Sequence, residues 1–293
     1  MSKFRTRFRK VLRIIGIVFF ILLAFVFFAM HFLMPFRESD KKIEKYFAEK
    51  HVPVVIHHVE YQGAPVRFIE TKGSEAPDST LIIFVHGAPG SLSDHKAFLA
   101  DSLLLSKARM VSMDRLGYGY SHYGQSVPGI GEQAAFIKFI VEQFPHKKVI
   151  LCGHSFGGPI VAKFAMDYPE LADKVIMLAP LNEPETEPMF NMAYLAKWKL
   201  TRWTLPAAIN VSADEKFAHA AELEKMKGGW ANLKVPMVHI HGTKDMLAPF
   251  SNVKFSEDHI PAALLQTIVL EGANHFLPWS HYELVRKVLL ESI

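Results

Sequence analysis

Cysteine is nearly missing from this chain. Its 293 residues hold one, Cys152, so no intrachain disulfide can staple the fold, and cysteine usage is silent about redox compartment. Internal repeats and low-complexity tracts are absent, which excludes a solenoid or a tail-like polymer. No H-E-x-x-H and no paired C-x-x-C spacing occurs, so the histidines at 86, 154, 239 and 241 do not read as metal ligands, and no metal is expected. A basic stripe interleaved with aromatics is also lacking. The formal charge of +4 rests on Lys3, Arg5, Arg7, Arg9, Lys10 and Arg13, and the rest of the chain is slightly acidic, so nucleic acid is not an expected partner.

One more absence is local. Residues 14–34, IIGIVFFILLAFVFFAMHFLM, run for 21 positions without Lys, Arg, Asp or Glu. As a helix they span about 31 Å, the thickness of a bilayer's hydrocarbon core. A buried core helix would show a polar face, and His31 is the one polar side chain here. A cleaved signal peptide would have a shorter apolar region followed by small residues, and FAMHFLMPF offers no A-x-A site. The segment therefore reads as an uncleaved single-pass anchor in a cell membrane. Six Lys and Arg precede it, while Arg37, Lys41, Lys42 and Lys45 follow, a modest bias toward a cytoplasmic N-terminus and an extracytoplasmic main domain. The chain divides into a basic tail (1–13), the anchor (14–34), a charged juxtamembrane helix or spacer (35–51) and one domain (52–293).

Within that domain short β-rich runs alternate with helical patterns, the mark of an open α/β sheet. VVIHHVEY and VRFIET form an expected antiparallel hairpin. LIIFVHG, MVSMD, KVILCG, KVIMLAP, VPMVHIHG and TIVLEG supply further strands. Helical spacing is clear over 131–143, 156–167 and 281–292. From residue 181 to 233 no strand pattern occurs, and runs such as MFNMAYLAKWKLTRW predict a helical insertion, too long for a plain connection.

Chemistry enters at LCGHSFGG, residues 151–158. A strand runs straight into G-H-S-F-G and then into the helical PIVAKFAMDY, the context of a nucleophile elbow. Glycines at 153 and 157 allow a sharp turn around a strained serine, and Gly158 allows close helix–strand contact. On these residues the chain, from about Val52 to its C-terminus, resembles the α/β-hydrolase fold family. The resemblance implies a mostly parallel eight-stranded sheet flanked by helices, a small helical lid over 181–233, and Ser155 as nucleophile.

The family order is nucleophile, acid, histidine. Asp245 follows the strand VPMVHIHG and its turn, where the family's acid lies, whereas Asp167 and Asp173 flank a helix end and Asp214 and Asp258 sit in helical patterns. His275 follows the last strand in TIVLEGANHFLPW. His219 and His281 fall in helical runs, and His239 and His241 alternate within a strand. Ser155, Asp245 and His275 are thus the expected triad. The loop FVHGAPGS is similar to the family's HG-x-P-G loop, which supplies an oxyanion donor. Pro89 has no N–H, so the amides of Ala88 and Phe156 are the expected pair, with His86 bracing the loop. DRLGYGYS, residues 114–121, resembles a structural loop of the family, with Leu116 in place of its proline.

The expected activity is a membrane-anchored serine hydrolase, esterase- or lipase-like. It would cleave an ester or related acyl bond of a small, largely apolar substrate through an acyl-enzyme, with no cofactor. Its partners would be that acyl substrate and, through the N-terminal helix, the lipid bilayer. Carbon–carbon bond hydrolases share the same parts. Prolyl aminopeptidases share the HG-x-P-G loop and need lid acids to hold an amine, for which NEPETEP offers Glu183, Glu185 and Glu187. A non-catalytic binding protein would be expected to have lost triad members. Epoxide hydrolases and dehalogenases use a carboxylate nucleophile where this elbow has serine.

Overall fold

The computed structural model describes residues 2–33, 36–73, 80–184, 186, 188–189 and 191–293, apart from the side chains of 2–6, 30, 33, 191 and 192. Met34, at the end of the expected span, and Glu185 and Glu187 of NEPETEP lie outside the described residues, as does Phe190.

Eight strands form one sheet: β1 Val54–Tyr61, β2 Ala64–Lys72, β3 Thr80–Val85, β4 Arg109–Met113, β5 Lys148–His154, β6 Lys174–Leu178, β7 Met237–Gly242 and β8 Leu265–Leu270. Their order is β1-β2-β4-β3-β5-β6-β7-β8. β2 pairs antiparallel with both β1 and β4, and every other pairing is parallel. The sheet is mixed and mostly parallel, as the resemblance implied.

Alternation within the central strands divides the core in two. Leu81, Ile83 and Val85 of β3 face one layer with Val149 and Leu151 of β5, while Ile82, Phe84, Ile150 and Cys152 face the other. The first layer is closed by α3 (Ile130–Val141) and α4 (Gly157–Asp167) through Phe136, Ile140, Ile160 and Phe164. The second is closed by the C-terminal helix Tyr282–Ser292 through Val285 and Leu289, and by α2 (Asp40–Glu49) through Ile43 and Phe47. Of the two readings of the juxtamembrane stretch, helix or spacer, the structure has the helix, and it is packed into the core. Its approach is bolted down as well. Arg67 donates to the Glu38 carbonyl (2.9 Å) and pairs with Asp40 (2.9 Å), and Lys96 pairs with Glu38 (2.8 Å).

Before it comes α1, Ser2–Leu33, whose stretch Arg7–Ala29 is apolar and long enough to cross a membrane. Between β6 and β7 lies the expected helical insertion: α5 (Asn191–Lys197), the short turn Lys199–Arg202, and α6 (Ala207–Trp230). Apart from Ala213, the buried positions of α6 (Ala208, Val211, Glu215, His219, Leu223, Met226, Trp230) recur every three or four residues, so one stripe runs its whole length. The C-terminal half of that stripe belongs to the sheet's core; the N-terminal half lies over the strand ends.

Candidate active site

In a parallel sheet the loops after the strands open on one edge, so residues that follow different strands converge there. Ser155 follows β5 directly, Ala88 comes three residues after β3, Asp245 three after β7 and His275 five after β8. The structure brings these residues together. Ser155, His275, Ala88 and Phe156 line a cavity of about 400 Å³ that is otherwise mostly apolar, with Leu181 and Ile209 in its walls.

Ser155 sits at φ 55°, a left-handed conformation that costs a non-glycine residue on the order of 1–3 kcal/mol. The turn is held from both sides: the Ser155 N–H donates to the Leu178 carbonyl, and the Gly158 N–H donates to the Ser155 carbonyl, both at 2.9 Å. Glycine is required beside it for room. A Cβ on Gly153 would stand 2.3 Å from the Gly157 carbonyl oxygen, and one on Gly157 would stand 2.4 Å from that of Val85. The fold thus places α4 directly against β3 and β5, with the serine hydroxyl raised at the helix's start.

Asp245 and His275 are hydrogen-bonded, His275 Nδ1–H donating to Asp245 Oδ2 at 2.7 Å. The other carboxylate oxygen accepts the N–H groups of Leu247 and Ala248, each at 2.8 Å. Burial alone would raise the acid's pKa. The bond from His275, that ring's charge and the two amides outweigh it, and hold the carboxyl below its ordinary value. With Nδ1 committed to the acid, the lone pair of His275 is on Nε2. A second bond fixes this loop: His154 Nε2–H donates to the His275 carbonyl at 3.0 Å, and burial holds His154 near pKa 3, neutral at all ordinary pH.

Ala88 and Phe156 line the cavity with Ser155, and among the described residues neither N–H has an intramolecular acceptor. The loop that carries Ala88 is braced as expected. His86 Nε2 accepts the Arg115 N–H at 3.0 Å, so its Nδ1–H donates to the Gly87 carbonyl at 2.7 Å. Gly87 comes so close to Ser155 that a Cβ there would lie 2.9 Å from the Ser155 Cβ. Asp114 has the structural role expected of it, accepting from the Leu92 and Tyr120 amides and from Arg67.

Two features escaped the sequence reading. Arg115, wholly buried, forms a two-pronged pair with Glu215 of α6 (2.6 and 3.0 Å) and also donates to the Gly87 carbonyl at 3.1 Å. Tyr118 donates to the same carboxylate at 2.5 Å. One signal was present: Glu215 interrupts an apolar stripe of α6, and a charge on such a stripe is buried with a partner. The second is a relay behind the acid. Asn182 donates to Ser256, Ser256 to His239 Nδ1, His239 Nε2–H to His241 Nδ1, and His241 Nε2–H to the Ala248 carbonyl. That last residue's amide holds Asp245. Burial lowers the pKa of both rings, so each stays neutral and the direction of the relay is set.

Glu183 lies elsewhere, lining a separate hollow with Phe217, Glu224 and His259. Lys216 of α6 is the charged side chain that lines the Ser155 cavity among the described residues.

Comparison with known proteins agrees with the sheet. A family model for the α/β hydrolase fold matches residues 80–210. Epoxide hydrolase 1 of Caenorhabditis elegans is 27% identical over 121 residues, 41% of this chain and 29% of that protein. Human protein ABHD8 is 30% identical over 130 residues, 42% of this chain and 28% of its own length. The chain thus matches less than a third of the length of either relative. Among solved structures, a bacterial membrane phospholipase A superposes with a TM-score of 0.65 at 15% identity, covering 100% of this chain and 98% of that one.

Proposed function

From the premise that the chain belongs to the α/β-hydrolase superfamily, we propose that it is a serine hydrolase held in a membrane by its N-terminal helix and cleaving an ester or related acyl bond. The observation that carries this reading is the single cavity that Ser155, His275, Ala88 and Phe156 share, with His275 bonded behind to Asp245.

In this reading His275 Nε2 takes the proton of Ser155 as Oγ attacks the acyl carbon. The Asp245 carboxylate keeps the proton on Nδ1 and stabilises the imidazolium that forms. Developing charge on the acyl oxygen is met by the Ala88 and Phe156 amides, which are already fixed in place and so need no reorganisation. His275 then gives its proton to the leaving alcohol, and a water repeats the sequence on the acyl-enzyme. Asp245 acts as a base-positioning group throughout.

The walls support a largely apolar substrate of modest size, and the helices over 181–233 act as its lid. Among the rivals, an aminopeptidase needs an acid at the substrate amine. Glu183 lines a different hollow, and among the described residues the cavity's charged wall residue is a cation. The superposed membrane phospholipase A is an ester hydrolase at a membrane by name, which supports both halves of the reading.

The test is labelling of the purified full chain by a fluorophosphonate, followed by turnover of p-nitrophenyl esters. Ser155→Ala should abolish labelling and lower kcat by several orders of magnitude while the fold persists. Labelling that survives in Ser155→Ala, or activity within about tenfold of wild type, refutes the assignment.

A further inference from the structure

The insertion has a second face, and it is not the face of a soluble lid. α5 and the turn after it leave Tyr194, Leu195, Trp198, Leu200 and Trp203 between 46 and 68% exposed, within ten residues of chain. Lone exposed apolar residues are ordinary, whereas five within ten residues mark a surface that meets something apolar. Three of the five are Trp or Tyr, and exposed Lys197 and Lys199 lie among them, the composition of a bilayer's interfacial zone.

Position says what that something is. The ring of Trp203 packs against the ring of Phe27 on α1, centroids 6.1 Å apart. Phe27 lies six residues inside the C-terminal end of α1 at Leu33, about 9 Å along a helix axis. Trp203 therefore stands alongside the apolar helix, not beyond its end. The chain just past α1 is tied to the domain. Arg37, four residues past that end, donates to the Gly119 carbonyl and stacks over Tyr120 and Tyr123, and the next residues are held by Lys96 and Arg67. Wherever α1 spans a bilayer, this face is carried into the bilayer's edge.

We propose that the outer face of residues 194–203 is a bilayer-docking surface, seated in the headgroup–acyl boundary beside α1, through which the hydrolase takes acyl esters resident in that membrane. This rests on the reading of the chain as an anchored serine hydrolase. The link to the site is one helix thick. Ala193, next to Tyr194, lines the Ser155 cavity, and Ala196 packs inward while Leu195 and Trp198 face out. An acyl chain leaving the membrane at this face has only α5 and its edge to pass before it reaches the serine.

The experiment uses the full chain reconstituted in phosphatidylcholine vesicles containing phosphatidylglycerol. Tryptophan emission is measured with ordinary lipid and with lipid brominated midway along its acyl chains, in wild type and in Trp198→Phe/Trp203→Phe. Strong quenching in wild type that is lost in the double variant is expected. Equal quenching in both refutes docking, as does protection of these tryptophans from bromolipid and aqueous iodide alike, which would mean that a second copy covers the face. In a second arm, Leu195→Lys/Leu200→Lys should leave hydrolysis of a soluble short-chain p-nitrophenyl ester within about twofold and lower turnover of a vesicle-embedded long-chain fluorogenic ester about tenfold or more. Equal effects on the two esters overturn the proposal. If wild type cleaves neither ester, the catalytic reading fails, and the bromolipid result still decides docking.

Discussion

Glu215→Ala is the perturbation whose cost can be worked most directly from the structure. Both carboxylate oxygens face Arg115, one also takes the Tyr118 hydroxyl, and all three side chains are fully buried. The substitution leaves a guanidinium in the core with the Gly87 carbonyl as a remaining neutral acceptor. Removing one partner of a buried pair costs about 3–5 kcal/mol, because the other charge stays desolvated. At about 2–4 °C per kcal/mol for a domain of this size, Tm should fall by roughly 6–20 °C. The same change releases α6 from the loop that bears Ala88, so kcat should fall more than KM rises. Thermal and urea unfolding of the purified protein measure the first effect, and p-nitrophenyl ester kinetics the second. Arg115→Met in the Glu215→Ala background discriminates the cause. With no charge left to strand, the double variant should regain at least half of the lost stability. A single variant that loses under about 1 kcal/mol, or a double variant as unstable as the sum of the singles, refutes the reasoning.

Acid should unfold the domain early. Burial holds His95 and His154 near pKa 3 and His219 near 4, against 6.5 when unfolded, so their contribution is complete above pH 6.5 and drains away as pH falls below it, about 1.4 kcal/mol per unit for each. Asp94, raised by burial to about 7 from 3.8, opposes this with one group's slope between those values. Urea midpoints should therefore drop between pH 6.5 and 4.5, and a flat profile contradicts the burial of these rings. Asp245→Asn should keep substrate binding and lower kcat on the order of 10⁴-fold, measured with the same esters; a nearly silent change would move the acid elsewhere. Protease added to intact cells or spheroplasts should digest the C-terminal domain, and protection, or release of a mature chain beginning near residue 35, overturns the anchored, extracytoplasmic topology.

What could be read from the order of residues alone was what is local in the chain. A strand, a strained serine and a helix are contiguous at 148–167, so the elbow was legible as a string. Strand-end loops converge in any parallel sheet, so Asp245 and His275 could be picked out by their place after strands. The long apolar helix α1 follows from length and hydropathy. Tertiary structure decided what depends on distant partners. Arg115 and Glu215 are a hundred residues apart in sequence, and only the packing of α6 over the strand ends joins them. The relay through His239 and His241 reads as plain strand alternation until Ser256 of a later helix packs beside it. The charged stretch after α1 reads equally well as a spacer, and it is the burial of Ile43 and Phe47 that makes it part of the core. The outward face of α5 is the same case. Its aromatics read in the sequence only as part of a helical insertion, because composition records that a segment is apolar and not which side of it faces the cavity and which faces out.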